Sequence, residues 1–192
     1  MKKIIAFALI TIMSLSIMVG CGKQESGDKT SSVASKKAES GQLTTVYNNV
    51  MKVIFSDNEP ALAKQEDAAL IEDLFGLKPE MMKEHYIAIP MINVSVDTFI
   101  GIEAAEGQVK VVEDTLNAYK DKIIQDKIAF PYLPDHLPKA KAAQVITIDD
   151  YVFYISLGVV GEDVNENNMQ EAMNNEVQKA VDEVKHTLKN DK

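Results

Sequence analysis

Leu43, Val46, Tyr47, Val50, Met51 and Ile54 recur three and four positions apart, which predicts an amphipathic helix from about Gln42 to Phe55. Ser56-Asp57-Asn58-Glu59-Pro60 ends it, and a second, shorter helix over about Gln65 to Phe75 carries Leu70, Ile71, Leu74 and Phe75. Gly76 then offers a left-handed C-terminal cap, with Leu77 and Pro79 behind it as a firm stop. Around Tyr86 the period shifts toward two. Tyr86 to Met91 and Asp97 to Ala104, rich in isoleucine, valine and phenylalanine, predict two strands joined through Ile92-Asn93-Val94-Ser95. Pro90 cannot donate to a ladder and points to an edge or a bulge.

After Glu106-Gly107, the residues Val109, Val112, Leu116, Tyr119 and Ile123 mark the seam of a longer helix running to about Lys127, with lysines and acids on its other face. The three prolines in Phe130-Pro131-Tyr132-Leu133-Pro134-Asp135-His136-Leu137-Pro138 predict a loop without regular structure, pinned by its aromatics. Val145 to Ile148 and Tyr151 to Val159 flank Asp149-Asp150 as a hairpin, and a last helix spans about Asn168 to Leu188. Two hairpins each followed by a helix imply an α+β fold: a two-layer sandwich, with a four-stranded antiparallel sheet and helices mainly on one face. That domain would run from 42 to 190.

The first forty residues follow another pattern. Met1-Lys2-Lys3 is a short positive start, Ile4 to Val19 is almost wholly apolar, and Gly20-Cys21 closes the run. This is signal-peptide anatomy, too short for a membrane-spanning helix of ~20 residues. From Gly22 to about Ser40 the residues are small and polar and cannot bury enough surface to offset ordering entropy, so 21–41 reads as a flexible tether. Met18-Val19-Gly20-Cys21 resembles the lipobox of bacterial lipoproteins, with methionine where leucine is usual. The resemblance implies cleavage after residue 20 and lipid on the Cys21 sulfur, holding the domain on the outer, extracytoplasmic face of the cell membrane.

Charge narrows the partners. All 20 basic residues are lysines, set against 29 acids, for a formal net charge of −9. Loss of the leader would remove Lys2 and Lys3 and leave 18 against 29, a formal −11. Without guanidinium groups, and with that charge, nucleic acid is not an expected partner, and membrane attachment must come through the lipid. Cys21 is the sole cysteine, so no internal disulfide forms.

Candidate chemistry is sparse. His85, His136 and His186 are far apart in sequence, with no second histidine or cysteine at ligand spacing, so neither a metal nor a cofactor is expected. Asp163-Val164-Asn165-Glu166-Asn167 starts like a calcium loop but has Asn168 at the glycine place and Asn174 at the glutamate place. It reads instead as helix-capping residues ahead of Met169. Asp149-Asp150 reads as a turn before it reads as a carboxylate pair. The proline-rich loop offers the best binding-surface candidates: Tyr132, Asp135 and His136.

From Leu74 to Leu157 the chain resembles the domain of unknown function numbered 4358, found in lipoproteins of Gram-positive bacteria. The features are Phe75-Gly76-Leu77-Lys78-Pro79, the Met91-Ile92-Asn93-Val94 turn, Tyr132-Leu133-Pro134-Asp135 after the long helix, and Asp150-Tyr151-Val152. The resemblance implies compartment and domain limits and transfers no catalytic residues. The function expected is therefore a non-enzymatic, surface-tethered domain that binds an envelope protein, peptide or small molecule. The alternative is an envelope hydrolase using acidic residues, which would gain from a cleft holding Asp135, His136 or Asp149 together with perturbed carboxylates. A transporter's solute receptor is less expected, because such receptors commonly have two lobes and this chain has length for one.

Overall fold

A computed structural model describes residues 41–56, 59–91 and 95–190. The expected signal peptide, Cys21, nearly all of the tether and the Ile92–Val94 turn lie outside the described residues. The chain order is α1 (Gln42–Phe55), β1 (Leu62–Lys64), α2 (Ala68–Phe75), a 3-10 turn (Pro79–Met81), β2 (Met82–Pro90), β3 (Thr98–Ala104), α3 (Val109–Ala129), α4 (His136–Ala142), β4 (Gln144–Ile148), β5 (Tyr151–Ser156) and α5 (Met169–Asn190). All of it falls within one compact unit, Ala38–Lys192.

Among the described residues the sheet has five strands, all antiparallel, in the order β1-β2-β3-β5-β4. The four-stranded expectation missed β1, three residues that pair Leu62 with Pro90 and Lys64 with Ala88 at the edge of β2. Three residues are too few to show a period. The edge or bulge expected at Pro90 is not found: β1 pairs Leu62 with Pro90 and takes the edge, β2 lies inside the sheet, and its register shift falls between Met82 and Glu84. Pro90 is tolerated as the last residue of β2, beyond its pairing with β3.

Helices lie on both faces, giving three layers where two were expected. On one face α1 and α5 bury Leu43, Val46, Val50, Val177, Val181 and Val184 against Phe99, Phe153 and Ile155. On the other, α2 and α3 bury Ile71, Phe75, Val112 and Leu116 against Ile87, Ile100, Ile102, Val152 and Tyr154. Alternate residues of β3 and β5 thus feed two separate cores, which requires strands that are apolar at consecutive positions. Gly101 serves the closeness of α1: a Cβ there would stand 3.2 Å from Leu43 and 3.1 Å from the Phe153 ring.

The proline-rich segment also departs from expectation, because its second half is helical. Pro138 is the third residue of α4, where the backbone N–H has no intrahelical acceptor and its loss costs nothing. α4 packs against both α5 and α3 and links the two helical layers. Gly76 caps α2 with φ 74°, as its place in the sequence predicted, and donates its N–H to the Glu72 carbonyl. The Asn165–Asn168 segment caps the start of α5: the Asn165 N–H donates to Asn168 Oδ1, and the Asn167 N–H to Asn165 Oδ1.

Pairing of Thr98 with Ser156 and of Ala104 with Met82 defines two ends of the sheet, roughly 20 Å apart at ~3.3 Å per residue. The chain enters the domain at the Met82 end, where Gly41 abuts Glu84 and Gln42 accepts a hydrogen bond from the Tyr151 hydroxyl at 2.6 Å. Among the described residues, no helix is long and apolar enough to cross a membrane.

Candidate functional site

At the Thr98 end of the sheet, α2 and α3 part to leave a cleft of about 210 Å³. Each wall follows from the local sequence. The last turn of α2 contributes Leu74 and Phe75, fixed in place by the Gly76 cap. The end of β2 contributes Ile89 and Pro90, the approach to β3 contributes Ser95, Val96 and Thr98, and Tyr154 rises from β5. The second half of α3 supplies Tyr119, Lys122, Ile123 and Lys127, one stripe of the helix that reaches past its buried seam. A shallower groove continues the cleft between α2 and α3 past Glu72, Asp73 and Thr115.

Three aromatic rings line the inner part. Tyr119 meets Phe75 edge-on at 5.0 Å and Tyr154 edge-on at 5.2 Å. Burial pushes the Tyr119 phenol up to about 12, against a weaker downward pull from the neighbouring Thr98 hydroxyl. Burial, then Tyr119 itself, raises Tyr154 further still. At neutral pH both are therefore un-ionised hydroxyls with apolar bodies, able to donate or accept a hydrogen bond.

Beside the cleft lies a buried ion pair. Lys139 of α4 donates to Asp97 Oδ1 at 3.0 Å and Oδ2 at 3.2 Å, with both residues under a tenth exposed. The Ser95 hydroxyl, which also lines the cleft, donates to Asp97 Oδ2 at 2.6 Å and accepts the Asp97 N–H at 3.0 Å. Each partner needs the other to offset its desolvation. Together they clamp α4 to the start of β3 and fix the cleft's rim.

Tyr132, Asp135 and His136 lie together elsewhere, outside the lining of the cleft. Tyr132 is 68% exposed, Asp135 sits half-buried at the start of α4, and His136 is 2% exposed, its ring 6.2 Å from that of Tyr132. Asp149 and Asp150 form the β4–β5 turn at the opposite end of the sheet, Asp149 with φ 53°. Asp149 therefore does not join Asp135 and His136 in one site. His85 stands 4.0 Å from Glu66, and His186 lies on α5 beside Glu183, so the three histidines stay on separate elements. Among the described residues, no three His, Cys, Asp or Glu side chains gather where they could hold a metal ion.

Periodicity along the chain does not reveal the cleft. It places Tyr119 on the helix seam, and Lys122 and Lys127 on a solvated face. The available signal was Thr98 and Tyr119, two hydroxyls at positions the period places inside.

What the fold and cleft define is a three-layer α/β/α domain with an antiparallel sheet and a small, partly apolar cleft in one helical layer. The chain belongs to the family described as Domain of unknown function (DUF4358), whose profile matches residues 56–157, a little over half of the chain. The match takes in all five strands with α2, α3 and α4, and so the whole cleft, while α1 and α5 fall outside it. No curated protein and no solved structure was found to match the chain.

Proposed function

We propose that the protein is an extracytoplasmic lipoprotein of the cell envelope, held on the membrane's outer face by lipid on Cys21, and that it binds a ligand in the α2–α3 cleft without catalysing a reaction. The observation that carries the binding half is the character of the cleft. It joins apolar walls to a few convergent polar groups, the usual make-up of a ligand site. Its titratable side chains are lysines and tyrosines, and the tyrosines are pushed far above neutrality. Those hydroxyls offer hydrogen bonds, and neither is a proton acceptor poised near pH 7. The anchoring half rests on the leader and on Gly20-Cys21. Entry of the chain at Gly41, at the far end of the sheet from the cleft, suits a tether on one side and a ligand on the other.

An envelope hydrolase built on Asp135, His136 and Asp149 gains no support from geometry that sets Asp149 at the other end of the sheet.

Two measurements test the reading. Mass spectrometry of the protein from its native membrane should find an acylated N-terminal Cys21, and Cys21→Ser should shift the protein out of the membrane fraction. An unmodified thiol would overturn the anchor. Hydrogen exchange of the full chain with low-molecular-mass envelope extract should protect Val96–Thr98 and the second half of α3. Protection confined to Tyr132–His136 or to the Asp149 turn would overturn the choice of cleft.

A further inference from the structure

The charge of the cleft runs against that of the chain. Acids outnumber lysines 29 to 20, yet the described residues lining the cleft include two lysines, Lys122 and Lys127, and no acid, the nearest lining carboxylates being Glu72 and Asp73 of the groove that continues it. Lys122 shares its charge with Asp126 at 3.0 Å, one turn along α3. Lys127 has no ion-pair partner among the described residues and is half-buried at the cleft's edge. The Ser95 proton is already committed to Asp97, which leaves the hydroxyls of Tyr119, Tyr154 and Thr98 as the neutral polar groups facing inward. The remaining walls are apolar.

The cleft itself, about 210 Å³, is below the range for drug-sized ligands, and the groove that continues it passes Glu72 and Asp73, which disfavour an anion there. An inorganic anion alone would leave Phe75, Ile89 and Val96 uncovered. Building on the reading of this cleft as the ligand site, we propose that it takes a small carboxylic acid carrying one compact apolar or aromatic group. The carboxylate sits at Lys127 and Lys122, and the apolar group lies against Phe75, Ile89 and Val96. Edge-on rings at Tyr119 and Tyr154 favour a flat group, which can stack or tilt against them.

The test titrates the full chain with phenylacetate and with its neutral isostere phenylacetamide, followed by ligand-observed NMR and calorimetry. Phenylacetate should bind about tenfold more tightly than the amide, the scale of one charge-assisted contact at a partly exposed site. Lys127→Gln, a change on the surface of α3 that circular dichroism can show to be folded, should weaken phenylacetate binding and narrow that preference, and Lys122→Gln added to it should abolish the preference. Equal binding of acid and amide by the unaltered chain, or a preference undiminished by Lys127→Gln, overturns the assignment of the anionic end. If neither compound binds, the ligand class is wrong. The hydrogen-exchange pattern with envelope extract then decides separately whether the cleft binds anything.

Discussion

At the scale of single residues, Asp97 and Lys139 make the sharpest claim. Neither looks unusual in sequence, since Lys139 belongs to a Lys-Ala-Lys-Ala run of the kind that covers solvated helices. In the folded chain the pair is nearly sealed from water, so removing one partner strands a charge. Lys139→Ala should lower unfolding free energy by about 3–5 kcal/mol in urea titration. A loss under about 1 kcal/mol would mean that water reaches Asp97. The phenols give a pH dependence with a definite sign. Tyr119, at about 12, and Tyr47, also about 12, keep their protons in the folded state where the unfolded chain, near 10, has lost them. Their contribution is complete below about pH 10 and disappears as the pH climbs toward 12. The Tyr119 contribution falls by ~1.4 kcal/mol per pH unit in that window. Alkaline titration should show phenolate absorbance rising together with loss of far-ultraviolet circular dichroism, and Tyr119→Phe should move that transition to higher pH.

At the scale of elements, the α2 terminus and the proline-rich segment teach different things. Gly76 was legible because a left-handed cap needs glycine whatever surrounds it. Its neighbourhood has room, since a methyl group placed there would lie 3.4 Å from Thr115 Cγ2, so strain alone sets the cost of filling it. Gly76→Ala should therefore cost ~1–2 kcal/mol in thermal or urea unfolding, and because Leu74 and Phe75 precede it, it should also loosen the cleft wall. α4 was not legible. Three prolines argue against a helix only when they fall in its interior, and the one inside α4 occupies the first turn. β1 escaped for a different reason, since its three residues are held by the edge of β2 and not by any pattern of their own.

At the scale of the whole molecule, the family match and the fold have different limits. The match ends at residue 157, before α5, yet α5 buries Met173, Val177, Val181, Val184 and Leu188 in the core shared with α1. A chain ending at Leu157 would leave α1 as the only helix on that face of the sheet and strip its partner α5 from it, and it should lack near-ultraviolet circular dichroism and dispersed amide resonances. If that shortened chain gave a native-like spectrum, α5 would be an accessory layer. The three-layer arrangement could have been read from β5, whose Val152-Phe153-Tyr154-Ile155 has no polar alternation and so needs cover on both faces. Counting hairpins and helices hid that signal, because it attends to the order of elements and ignores their faces.

Local pattern was enough to specify the long helices, the hairpin at Asp149-Asp150, the Gly76 cap and the antiparallel character of the sheet. All of these depend on periodicity or on backbone conformations confined to neighbouring residues. The expectation of a leader ending at Cys21 rests on local signals of the same kind. Tertiary structure alone decided that α1 and α5 take one face and α2 and α3 the other, that β1 completes the sheet, and that Lys139 reaches Asp97 across 42 positions. The cleft belongs to the second group. Its walls come from α2, β2, β3, α3 and β5, and what makes them a site is the space where two helices separate, which no single stretch of chain encodes.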